Sequence, residues 1–275
     1  MHVALDPAPI LGSLVAHAVP GVEVVDASTG TVRRAVRFST GPAVVDVHLG
    51  THRVEVVAPG APTTEVAALV ERWFGLRDDL DEVRTHLGRD ARLAPLLAAR
   101  PHLRVLGHPD GFEAAVQTVL GQQVSLAAAR TFTGRFAAAF GEPGPGGLTL
   151  FPTPTAVAGR SPDELQATVR VTHARARTLA ALAEACADGL DLRPEADHDD
   201  VRARLLALPG IGPWTVEYLA LRVLGDRDAF PSGDLVLRRA LDVEHARDVV
   251  AASTGWAPLR SFAAQHLWTS TAYVV

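Results

Sequence analysis

The sequence predicts an α+β protein in two parts. A small N-terminal antiparallel-sheet α/β domain occupies residues 1–85, and an all-helical core occupies residues 86–275. Three observations predict this. Four short β-branched runs crowd into the early chain with turn residues between them. Beyond Gly111 the apolar residues recur at helical spacing and the strand pattern does not return. In that second part glycine and proline fall where helices start and stop.

The strand runs are VEVVD from Val22, TVRRAVRFS from Thr31, AVVDVHL from Ala43 and HRVEVVAP from His52. Gly30, Gly41–Pro42 and Gly50–Thr51 punctuate them. Connections this short favour antiparallel neighbours, because parallel pairs need a long crossover. Ala8–Ala18 and Thr64–Phe74 flank the runs with helical spacing.

In the second part, Gly111–Phe140 reads as a long helical stretch interrupted near Gly121. Glu142–Thr155 is a proline/glycine-rich connection. Ser161, Pro162, Asp163 and Glu164 form a helix start: a serine cap, proline in the first turn, and acids at the positive end of the dipole. Helices are expected at Ala174–Asp188 and Asp199–Ala207, then from Pro213 to Leu224. Three short ones follow near Asp234–Leu241, Glu244–Ala252 and Pro258–Trp268.

Composition bounds the function. At 275 residues, 48% hydrophobic and 21% charged, the chain is ordinary for a soluble globular protein. No apolar run reaches the roughly 18–20 residues of a membrane span. The start, MHVALDPAPILG, lacks a basic n-region and a clean apolar h-region, so no secretion signal is expected. The single cysteine, Cys186, excludes an internal disulfide framework and any four-cysteine zinc or iron–sulfur site, and fits a reducing cytoplasm. All 26 basic residues are arginine, which matches a GC-rich coding bias. The chemical consequence is that no lysine can form a Schiff base. The net charge of −5 speaks against a nucleic-acid partner, although a local arginine patch is enough to hold phosphates.

One stretch, from Leu208 to Asp234, carries more chemistry than the rest. Pro209-Gly210-Ile211-Gly212 is a tight turn between two helical patterns, and the next helix starts at Pro213. The unpaired N–H groups of Gly210, Gly212 and Thr215 form an anion site there without any basic side chain. Alone, the same turn is equally a plain joint between helices. Trp214 and Tyr218 share a helix face, as core or as the wall of a pocket for a flat ring. Asp234 follows Ser232-Gly233 and opens a helix, as an N-cap or as a carboxylate kept ionised in a cleft. Such a carboxylate can stabilise a sugar cation, as in glycosidic cleavage.

LPGIGPWTVEYLALR followed by FPSGDLVLRRAL resembles the helix–hairpin–helix DNA glycosylase superfamily, and within it the DNA-3-methyladenine glycosylase II family. GFEAAVQTVLGQQVSLAAA from Gly111, LFPTPTAVA from Leu150 and WAPLRSFAAQHLW from Trp256 are similar to further segments of that family. The N-terminal sheet fits its extra domain, so the resemblance spans nearly the whole chain. It implies a helical core of two subdomains with the active-site cleft between them. It implies a hairpin over residues 206–215 and a catalytic loop over residues 230–234. Asp234 matches the catalytic aspartate. Trp214, Tyr218 and Trp268 match aromatics of the damaged-base pocket, and Gln123 the wedge. Gly210, Gly212 and Thr215 match backbone phosphate contacts.

No cofactor is expected for catalysis. The resemblance does imply a monovalent cation, Na+ or K+, on the main-chain carbonyls of Leu206, Leu208 and Ile211. In bifunctional relatives that also nick the backbone, a nucleophilic lysine stands at the position of Trp214. The implied activity is therefore monofunctional. Alkylated purines would be flipped out of double-stranded DNA and released to leave an abasic site, by a monomeric cytoplasmic protein with no membrane partner. Two departures bear on the pocket. Ser13, with His17 one turn later, stands where the family has an aromatic, and the wedge is glutamine rather than aliphatic. The alternatives are a non-catalytic helix–hairpin–helix DNA-binding module and a glycosylase for deaminated or oxidised bases.

His266, two residues before Trp268, is tempting as an acid but reads as a packed or partly exposed helix histidine. His48, His52, His102 and His108 show no metal-ligand spacing. Arg170, Arg175 and Arg177 offer a phosphate-facing patch, with solvated charge as the default reading.

Overall fold

The computed structural model describes residues 1–271. It opens with helix α1 (Pro7–His17) and a four-stranded sheet of β1 (Glu23–Asp26), β2 (Thr31–Phe38), β3 (Gly41–Leu49) and β4 (Val54–Val57). The strands lie in chain order and every pair is antiparallel. Alternation on β3 decides its faces: Ala43, Val45, Val47 and Leu49 are buried while Pro42 and His48 are exposed. The buried face packs on Ile10, Leu11 and Leu14 of α1 and on Leu69, Val70 and Trp73 of α2 (Thr63–Trp73).

Two helices follow that the sequence pattern did not single out, α3 (Leu80–Leu87) and α4 (Ala94–Ala99). Leu80, Val83, Leu87, Leu93 and Leu97 belong to the helical core rather than to the sheet's core. Both helices are short, with little periodicity to read. The stretch expected at Gly111–Phe140 is two helices, α5 (Gly111–Gly121) and α6 (Leu126–Phe140). Ser125 caps the second, its side chain accepting from the Ala128 N–H.

The Pro/Gly-rich connection holds a minimal hairpin, β5 (Glu142–Pro143) with β6 (Thr149–Leu150). Helices α7 (Pro154–Val157), α8 (Pro162–Val169, capped by Ser161), α9 (His173–Ala187), α10 (His198–Leu206) and α11 (Pro213–Leu219) come next. A π-helical segment, Ala220–Leu224, prolongs α11. The chain continues through α12 (Leu235–Ala240), α13 (Ala246–Ala252) and α14 (Arg260–Thr271). No helix among the described residues is long and apolar enough to cross a membrane.

A buried ionic network joins sheet to helices. Arg34 on β2 reaches Glu113 in the first turn of α5 at 2.6 Å and Glu23 on β1 at 3.2 Å. Its guanidinium also lies 5.5 Å from the centre of the Trp73 ring. Arg34 and Glu113 are buried, so the charges must satisfy each other.

Candidate active site

Local bonds explain why the residues from Gly225 to Asp234 sit against α11. Glu217 accepts the Phe230 N–H at 3.0 Å and also binds Arg202 at 3.0 Å. Arg202 in turn pairs with Asp226. A tight turn, with the Asp234 N–H on the Pro231 carbonyl at 2.8 Å, then delivers Asp234 to the start of α12. There Oδ1 caps the helix, accepting the N–H groups of Val236 (2.8 Å) and Leu237 (3.1 Å).

Asp234 is more than a cap. The Trp214 indole N–H donates to Oδ2 at 2.9 Å, and the Trp268 indole N–H donates to Oδ1 at 3.2 Å. Three of the four donors fall on Oδ1, which leaves Oδ2 with an unused acceptor site. The aromatics form one wall. Trp214 and Tyr218 stack with ring centres 5.2 Å apart, and Tyr218 meets Trp268 at 5.9 Å. These side chains and Asp234 line a cavity of about 250 Å³, far larger than the share of one water, about 30 Å³. A module that only gripped phosphate would not require Asp234, Trp214 and Trp268 to converge, and here they do.

The rest of the lining was not legible as a set. Arg222, on the π-helical segment, lies 5.9 Å from the centre of the Tyr218 ring and donates to the Leu106 carbonyl. Ser13 and His17 of α1 line the cavity, as do Arg34, His108, Gln117 and Gln265. His17 Nδ1 lies 2.8 Å from the Ser13 carbonyl, and burial lowers its pKa. Burial also holds His108 well below the usual imidazole range. His266 is buried outside this lining, with its pKa lowered by burial to about 4.

Gln123 is exposed at the tip of the α5–α6 connection, with φ of +53°. Its neighbour Gln122 holds that tip in place by donating to the Gly210 carbonyl and the Thr215 hydroxyl, both at 3.2 Å. Arg175 donates to the Gln122 carbonyl, so it serves the loop instead of standing as a solvated charge. Val124 of the same connection and Leu126 at the start of α6 line the cavity.

In the hairpin, Gly210 has φ of +80° and packs against Thr178, where a Cβ would collide. A Cβ on Gly212 would meet nothing. The Thr215 side chain is buried and committed to Gln122, so its N–H is what remains for an anion. The Leu208 carbonyl accepts the Ile211 N–H at 3.2 Å. Those of Leu206 and Ile211 accept no hydrogen bond from the described residues. Three neutral oxygen donors at one turn suit a hard monovalent cation. Among the described residues no group of three or more His, Cys, Asp or Glu side chains could hold a metal.

Residues 3–110 match the family model of the AlkA N-terminal domain, and residues 116–247 match that of the HhH-GPD superfamily base excision DNA repair protein. A Mycobacterium tuberculosis protein described as a probable bifunctional transcriptional activator/DNA repair enzyme AlkA is 38% identical over 97% of this chain. The chain spans only 55% of that relative's length. DNA-3-methyladenine glycosylase 2 of Escherichia coli is 34% identical, covering 94% of this chain and 92% of its own. The structure of a 3-methyladenine DNA-glycosylase from Archaeoglobus fulgidus has the same fold. It gives a TM-score of 0.83 at 20% identity, covering 98% of this chain and 96% of that one.

Proposed function

The chain belongs to the AlkA-like family of helix–hairpin–helix base excision DNA repair proteins, and on that premise we propose that it is a monofunctional DNA glycosylase for alkylated purines of the 3-methyladenine and 7-methylguanine type. The observation that carries this reading is Asp234 suspended between the indole N–H groups of Trp214 and Trp268 on an aromatic-walled cavity.

A base inside a duplex is out of reach, so it is rotated out at a cost of a few kcal/mol. Gln123 at the loop tip fills the gap, and the N–H groups of Gly210, Gly212 and Thr215 grip the neighbouring backbone. Stacking on the aromatic wall returns roughly 1–3 kcal/mol. The carbonyls of Leu206, Leu208 and Ile211 are the donors for a monovalent cation, which would add positive charge near that backbone.

An alkylated purine nucleotide carries a positive ring. When the bond from C1′ to the ring nitrogen breaks, its electron pair neutralises that charge and the base leaves uncharged. No general acid is then needed. Asp234 stabilises the positive charge developing on the sugar. Water adds to C1′ through oxygen and gives up its proton, leaving free base and an abasic site. The lack of lysine in these residues, with Trp214 at the hairpin-helix position, supports base release without a lysine Schiff-base step to strand cleavage. Action on chromosomal DNA would put the protein in the cytoplasm.

The test is base release from duplexes carrying a panel of lesions, with Asp234→Asn beside the wild type. Release of methylated purines by the wild type and not by the variant is expected. Undiminished release by the variant removes Asp234 from the chemistry.

A further inference from the structure

Hydrogen-bond bookkeeping at one wall of the cavity leaves the Gln117 carbonyl oxygen without a donor. Gln117 on α5 lines the cavity, and its Nε2 lies 3.0 Å from Glu113 Oε1 and 3.3 Å from His108 Nε2. The partners decide which way its amide points. Glu113 Oε2 takes the Arg34 guanidinium at 2.6 Å, and Oε1 accepts from Gln117. His108 Nδ1 lies 2.7 Å from the Asp110 carbonyl, which can only accept, and 3.2 Å from the Asp110 N–H; the shorter contact sets the imidazole proton on Nδ1, so that Nε2 offers a lone pair. Both hydrogens of the Gln117 amide are therefore spent. Rotating the amide would set its oxygen against a carboxylate oxygen and an imidazole lone pair. Gln117 Oε1 makes no hydrogen bond with the described residues.

We propose that Gln117 is a specificity-determining residue whose fixed carbonyl oxygen accepts a hydrogen bond from an N–H group on the edge of the flipped base. The inference rests on the glycosylase reading and deepens it. The substrate class becomes bases that keep an N–H donor on that edge, such as the ring N–H and amino group of 7-methylguanine, over bases whose edge is closed by a further ring. Arg34 and Glu113 are positioning residues in this arrangement. Arg34 acts from the sheet and Glu113 from the first turn of α5, and together they hold the amide's orientation. The N-terminal domain thus sets base choice through three consecutive bonds, Arg34 to Glu113 to Gln117 to His108. A site built to accept from an N–H rejects a base without one, because its own polar atom is left unpaired.

The test is single-turnover release from two duplexes, one carrying 7-methylguanine and one carrying 1,N6-ethenoadenine, whose edge has no N–H. Gln117→Met keeps length and removes the acceptor. The ratio of 7-methylguanine to ethenoadenine release should fall about tenfold or more relative to the wild type. Glu113→Gln, which removes the charge that orients the amide, should move the same ratio in the same direction by less. Affinity for a duplex with a tetrahydrofuran abasic analogue reads folding and backbone contacts separately from base reading. An unchanged ratio, or loss of 7-methylguanine release in parallel with loss of abasic-duplex affinity, overturns the proposal. If ethenoadenine release is absent from both proteins, a tenfold fall in 7-methylguanine release at retained abasic-duplex affinity supports it. Absence of any release by the wild type overturns the glycosylase reading and this inference with it. Full wild-type release, abolished by Asp234→Asn, with an unmoved ratio overturns this inference alone.

Discussion

Replacing Asp234 by asparagine separates its two duties. The cap survives: the amide oxygen can take the place of Oδ1 and still accept from Val236 and Leu237, and asparagine is as good a cap as aspartate. What changes is the other atom. Nδ2 would present hydrogens to the Trp214 indole N–H that donates to Oδ2. Losing that charge-assisted bond costs about 1.5–3 kcal/mol of stability. The rate loss is larger. A unit negative charge about 4 Å from a unit positive charge on the sugar is worth about 4 kcal/mol at an effective dielectric constant near 20. At about 1.4 kcal/mol per decade, that is about a thousandfold in release rate. Single-turnover release of 7-methylguanine at saturating enzyme measures it, with urea unfolding beside it for stability. Release within about tenfold of the wild type would refute the reasoning, and so would a loss of release that follows the loss of folded protein.

Further expectations follow from the same geometry. Arg34→Met strands Glu113 and Glu23 without their cation, and should destabilise the fold by about 3–5 kcal/mol in urea unfolding. Gly210→Ala forces a side chain into a left-handed backbone against Thr178, and should cost at least about 1–2 kcal/mol and weaken affinity for abasic-analogue DNA. His266 titrates near 4 in the folded chain against 6.5 unfolded, because burial disfavours its charge. Its contribution is complete above about pH 6.5 and is lost as pH falls toward 4, where a loss of about 3 kcal/mol is expected that His266→Phe should remove from the urea-unfolding profile. If the hairpin grips phosphate with main-chain N–H groups as proposed, few counterions are displaced. The slope of log affinity against log salt should be far shallower than −0.9 times the number of phosphates contacted.

Much of the fold was legible because its signals are local. The alternation of Ala43, Val45, Val47 and Leu49 and the glycine turns around it dictate an antiparallel meander without tertiary information. The break after Gly121 shows as Ser125 at a cap position. Helices α3 and α4 escaped because eight and six residues offer too few turns for an apolar stripe, and their burial depends on partners from distant helices. The π-helical segment carrying Arg222 has no signature in the residues at all.

The site divides along the same line. Trp214, Tyr218 and Asp234 stand close in sequence, and their types suggested a cavity wall before any neighbour was known. Trp268 came through resemblance, and the structure brings it to the same carboxylate from 34 residues away. The other walls were hidden because their meaning lies in pairings between remote residues. Nothing local in Arg34 says that its charge is spent on Glu113, 79 positions away, and nothing local in Gln122 says that it ties the loop tip to the hairpin 88 positions on. Those long-range bonds also sharpen the objection raised by a net charge of −5. Arg34 and Arg202 are consumed by carboxylates, and Arg175 holds a backbone carbonyl. They are structural cations rather than phosphate ligands. Arg170 and Arg177, by contrast, stay exposed. On the proposed reading, the unpaired N–H groups of the hairpin would add partial positive charge that no count of side chains records.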